Sequence, residues 1–125
     1  MKLSTFLAFV AVVTFVFGLL LLLFPAQLLS LYEVILDLPG QFRYRYVGSA
    51  YLGLALTAWL ARSASREILK PILLGDFVIS ITGFIIAVGD KLALEVNPLG
   101  WGNIIIYLLL TLGFSYFTFL KRQED

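Results

Sequence analysis

The 125 residues predict an all-α, polytopic membrane protein with four transmembrane helices in an up-down bundle, and three observations carry that prediction. Hydrophobic side chains make up 61% of the chain and charged ones 14%, against about half and about a quarter in soluble domains. Four apolar segments recur, each near the roughly 20 residues that a helix needs to cross a hydrocarbon core of about 30 Å. Three of the four prolines and most charged residues fall outside those segments. The length suits one domain, 1–125.

The first span, 3–24, carries no charge and is read as an uncleaved helix. Its apolar run exceeds the core of a signal peptide, and no small-residue cleavage pattern follows Phe24-Pro25. Pro25 stops it, and AQLLSLYEVILDLPG then places Leu28, Tyr32, Ile35 and Leu36 on one helical face, as in a short helix lying at the membrane interface. The second span, 43–61, reaches crossing length when its helix begins near Phe42, which brings Arg43 and Arg45 into its outer end. The third, 71–89, opens on Pro71, where a missing N–H costs nothing in a first turn. After the turn at Asn97-Pro98, the fourth runs over 101–120 and is bounded by Lys121 and Arg122.

Lys2, Arg62, Arg66, Lys70, Lys121 and Arg122 fall on one side of these spans, and Arg43, Arg45 and Lys91 on the other. Basic residues concentrate in cytoplasmic segments, so both termini are expected there. Nine basic and eight acidic side chains nearly cancel, which gives phosphate backbones nothing to attract and sets nucleic acid aside as a partner. Cysteine and histidine are both absent. No thiolate or imidazole can then ligate a metal or act as a nucleophile or proton carrier, so neither metal site nor cofactor is expected.

Hydrocarbon does not satisfy polar side chains, so those inside spans face other helices or a cavity. Ser49, Gly53, Thr57 and Ala61 follow Arg45 at intervals of four and share a face. Small residues so spaced admit a second helix, as a seam inside the bundle or as a surface for another membrane protein or a second copy. Asn103, Tyr107, Thr111 and Ser115 form a polar stripe on the fourth span, read as interhelical hydrogen bonding or as a cavity lining. Asp76 is an intramembrane acid near the inner end of its span, with Arg62 or Arg66 as the expected partner; proton coupling is the other reading. No base, nucleophile or ligand set accompanies it, so no catalytic residue is assigned and an enzyme is not expected.

In PGQFRYRYVGSAYLG the aromatics suit the membrane interface and the arginines could snorkel to headgroups. Positions 43 and 45 lie about 200° apart on a helix, however, so an outward Arg43 turns Arg45 toward the bundle. Arg45 is expected to hold Glu33 or Asp37, or else the acidic group of a ligand, in a pocket with Ser49, Asn103 and Tyr107.

The stretch GLLLLLFPAQLLSLY followed by FRYRYVGSAYLGLAL resembles the DoxX-like group of small four-helix bacterial membrane proteins, mainly over residues 15–60. Pro25 after the first span, Arg43 or Arg45, Gly48 and Gly53 are the matching positions. The resemblance implies a four-helix bundle in the bacterial inner membrane and supplies no catalytic residue. Small multidrug exporters have a similar size but rely on an acid in the first span, which 3–24 lacks. The functional expectation is a subunit or organiser of a membrane complex. The alternatives are a protein binding lipid, quinone or another small amphiphile in an outer-leaflet pocket, with membrane lipid as its partner, and a small transporter using Asp76.

Overall fold

The computed structural model describes residues 2–94 and 98–120, which form helices joined by short turns, with no strand among them. They divide into two compact units, Met1–Ser63 and Ala64–Asp125.

In the first unit α1 (Leu3–Leu23) ends at Phe24, whose N–H still donates to Leu20 O at 2.8 Å. Pro25 has no N–H to continue that ladder and instead opens α2 (Pro25–Ser30). The end of α2 tightens, with Leu31 N–H donating to Leu28 O at 3.1 Å. Glu33 N–H then donates to Ser30 O at 2.9 Å and Val34 N–H to Leu29 O at 3.1 Å, closing the turn with Glu33 left-handed at φ 61°. The interfacial helix expected after the first span is therefore one short element that ends before Ile35, which is 97% exposed. Extended backbone leads to Asp37, the N-cap of α3 (Leu38–Ala61).

Helices α1 and α3 pack antiparallel with their backbones in contact. A Cβ on Gly48 would stand 2.8 Å from Gly18 O and from Leu22 N, and one on Gly18 would stand 3.2 Å from Leu52 N. Leu7, Ala11, Gly18 and Leu21 are the buried stripe of α1, and Gly48, Ala55 and Ala58 that of α3, each recurring with the three- and four-residue steps of one helix face. The seam against α1 thus runs through Gly48 and the alanines. Of the expected small-residue stripe, Ser49, Gly53 and Thr57 are exposed and nothing lies within 4 Å of a Cβ on Gly53, whereas its last member, Ala61, is buried.

In the second unit α4 runs from Arg66 to Leu94, and α5 (Leu99–Ser115) continues into a π-helical turn, Tyr116–Leu120. The third span was expected to begin at Pro71, but α4 begins a turn earlier, with Leu69 N–H donating to Ser65 O at 2.9 Å. Pro71 sits inside the helix, where it forfeits only the bond to Glu67 O. Helices α4 and α5 are antiparallel: Tyr107 of α5 covers Gly83 of α4, where a Cβ would overlap the ring, and Phe77 meets Phe119 edge on at 5.3 Å. Leu69, Leu73, Ser80, Phe114 and Phe117 are buried.

Among the described residues, three helical stretches are long and apolar enough to cross a membrane: Leu3–Leu23, Glu67–Gly89 and Trp101–Phe119. The 24 residues of α3 give it crossing length as well, about 36 Å by helical rise. Gln41, Arg43, Arg45, Ser49 and Thr57 make it more polar than the other three. The expected second span is thus one long helix that starts five residues before position 43 and is less apolar than a span facing lipid on all sides.

Candidate functional site

The start of α3 is shaped by DLPG. Asp37 Oδ1 accepts from Gly40 N–H at 2.8 Å, and Pro39 occupies the first turn, where its missing N–H has no helical acceptor to lose. Arg45 lies two turns further on and is half-buried. Its guanidinium stands over the Phe42 ring, 5.2 Å from the centroid, and its Nε is shielded from solvent with no hydrogen-bond partner among the described residues. The expected tie to Asp37 or Glu33 is not formed among the described residues. Asp37 is committed to its cap, and eight residues of helix separate it from Arg45, about 12 Å along the axis. Glu33 is exposed on its left-handed turn.

Ser49 is exposed and donates its hydroxyl to Tyr46 O at 2.8 Å. Arg45, Ser49, Glu33 and Asp37 belong to the first unit, whereas Asn103 and Tyr107 belong to the second, half-buried on α5 with Tyr107 against Gly83. Each set stands within its own unit. Toward the other end of α3, Arg62 lies over the Trp59 ring at 3.5 Å and donates from Nε to Trp59 O at 3.0 Å, so it is spent on its own helix. In the second unit Lys91 stands 5.4 Å from the Trp101 ring centroid. Such cation-on-aromatic pairs are the arrangement that membrane interfaces favour at helix ends.

Asp76 is half-buried in α4 and its main-chain carbonyl accepts from the buried Ser80 hydroxyl at 2.8 Å. Of its two expected partners, Arg62 is engaged by Trp59, and the side chain of Arg66 lies outside the described residues. Glu95, Asn97, Lys121 and Arg122 also lie outside them.

Sequence reading passed over two groups of consequence. The Gly18 and Gly48 pair is invisible as a spacing motif because its members sit on different helices. Thr118, whose Oγ1 is shielded and has no partner among the described residues, depends on the π-helical turn, which no residue pattern announces. Outside the membrane-crossing stretches, burial pushes the Tyr32 phenol above its ordinary range. No protein-family model, curated protein or solved structure matches the chain.

Proposed function

We propose that the chain is a four-span inner-membrane protein that acts as a small subunit or organiser of a membrane complex, without catalysis of its own. The observation that carries this reading is α3. It has crossing length and is only moderately apolar, and α1 covers the Gly48, Ala55 and Ala58 side of it, while Ser49, Gly53 and Thr57 are exposed. Lipid gains little from a face of hydroxyls and glycine, and another helix gains close approach. The face therefore suits a transmembrane helix of a partner protein. The likeness of residues 15–60 to the DoxX-like pattern agrees with a small bundle of this kind.

The test is purification from native membranes in mild detergent, with a partner that co-elutes and is lost from Gly53→Leu. A sole monodisperse species in both cases sinks the proposal. Because the chain has no cysteine, Gly53→Cys and Thr57→Cys also provide clean single-site crosslinking to whatever covers that face.

A second reading has its own observation. The shielded, unpartnered Nε of Arg45 beside Phe42 suits an anionic or carbonyl-bearing amphiphile, such as a lipid headgroup or a quinone, at the outer interface. Mass spectrometry of bound lipid in wild type and Arg45→Ala separates the cases, since identical lipid content removes this reading.

A further inference from the structure

Hydroxyls along the helices mostly answer to their own backbone. Thr14, Thr57, Ser80 and Thr111 each donate to the carbonyl four residues back, at 2.6, 2.9, 2.8 and 2.7 Å. Thr118 does not. It lies in the π-helical turn, where main-chain bonds run five residues back and the wider coil carries the usual acceptor away from the side chain. Its Oγ1 is left shielded and without a partner among the described residues, a net cost that a bound group would remove.

A carboxylate lies at the same level on the neighbouring helix α4. Phe119 meets Phe77 at 5.3 Å, which sets this turn level with Asp76. Asp76 belongs to the series Leu69, Leu73, Asp76, Ser80, Gly83, whose alternating steps of four and three lie on one face of α4. Leu69, Leu73 and Ser80 of that series are buried and Gly83 lies under Tyr107, so Asp76 is turned toward α5. Ser80 spends its hydrogen on Asp76 O and keeps its oxygen lone pairs free for a ligand. On α4 the charged neighbours toward the helix start are Glu67 and Lys70, both exposed, with Arg66 beyond the described side chains. From Leu99 to Leu120 there is no Asp, Glu, Lys or Arg, and the titratable groups are Tyr107 and Tyr116. Asp76 has no ion-pair partner among the described residues.

We propose that Asp76, Ser80 and Thr118 form a binding site for one small positive charge, an alkali cation or a proton, inside the membrane. A carboxylate in hydrocarbon requires a countercharge, and hard oxygen ligands suit a hard monocation. This site is independent of the complex-subunit reading and of the Arg45 pocket.

The experiment uses the full chain in phospholipid nanodiscs and dicyclohexylcarbodiimide, which reacts with membrane-embedded carboxylic acids. Peptide mass spectrometry is expected to find the acylurea adduct at Asp76, absent in Asp76→Asn. Protection by NaCl but not by choline chloride identifies an alkali cation, and labelling indifferent to NaCl identifies the proton. In either case Thr118→Val should change the half-protecting concentration or the labelling rate about fivefold, the worth of one net hydrogen bond. Thr118→Ser, which keeps the hydroxyl, should match wild type. No adduct at Asp76 overturns the site, as does a Thr118→Val protein that behaves as wild type. Ser80→Ala provides the same reading if Thr118→Val does not elute as a folded species.

Discussion

Gly48 is where a single atom decides packing. A Cβ there would press on Gly18 O and Leu22 N at 2.8 Å, main-chain atoms that cannot swing aside, whereas a Cβ on Gly53 meets nothing. Gly48→Val should therefore destabilise the chain by about 3 kcal/mol or more, read as a lower thermal midpoint in detergent. Gly53→Val should leave the midpoint of the isolated chain unchanged. Equal effects at the two positions would mean that the α1–α3 seam is not where the structure has it. Glu33 makes the opposite case, a side chain where backbone geometry favours none. Its φ of 61° closes the turn after α2 and costs a non-glycine residue about 1 kcal/mol. Glu33→Gly is expected to raise the thermal midpoint, and an unchanged midpoint would deny the left-handed turn.

Among the elements, the long helices were legible and their junctions less so. The run 3–24 was readable because unbroken apolar composition has one structural outcome at that length. The start of α4 was not, because proline at 71 reads equally as a first turn or as an interior residue that gives up one bond, and tertiary packing chose the second. The helix of α3 starts five residues before the expected span because apolarity marks where a span enters lipid, whereas the Asp37 cap marks where the helix itself begins. The same local bond explains why charge complementarity misdirected Asp37 to Arg45: an acid at a helix N-cap has a partner two or three residues away. Asp37→Ala should cost about 1 kcal/mol and fray α3 toward Phe42, seen as faster amide exchange over residues 38–42. Exchange unchanged in that segment would return Asp37 to the pool of partners for Arg45.

At the scale of the whole molecule, α3 is the described helix on which a proposal of four crossings rather than three rests. Three stretches meet the length and apolarity of a span without help, and α3 meets the length only. Parity makes the distinction measurable, because four crossings return the chain to the side on which it began and three do not. The charge pattern and the two arginine–aromatic pairs of α3, Arg45 against Phe42 in its third turn and Arg62 against Trp59 at its C-terminus, support a crossing helix. From Ala61 back to Arg45 is about 24 Å of rise, short of a hydrocarbon core of about 30 Å, so a crossing α3 carries Arg45 several ångströms below the outer boundary. At that depth the shielded, unpartnered Nε favours a covering helix or a bound anion over snorkelling alone, so the crossing, the exposed small-residue face and the Arg45 side chain become one question. Single cysteines at Lys2, Glu33, Ser63 and Pro98, added to a chain that has none, can be labelled in intact cells with an impermeant maleimide. Glu33 and Pro98 should react from outside, and Lys2 and Ser63 only after permeabilisation. If Glu33 and Ser63 react from the same side, α3 does not cross, the four-span bundle falls, and Arg45 becomes an interfacial residue with no need of a partner.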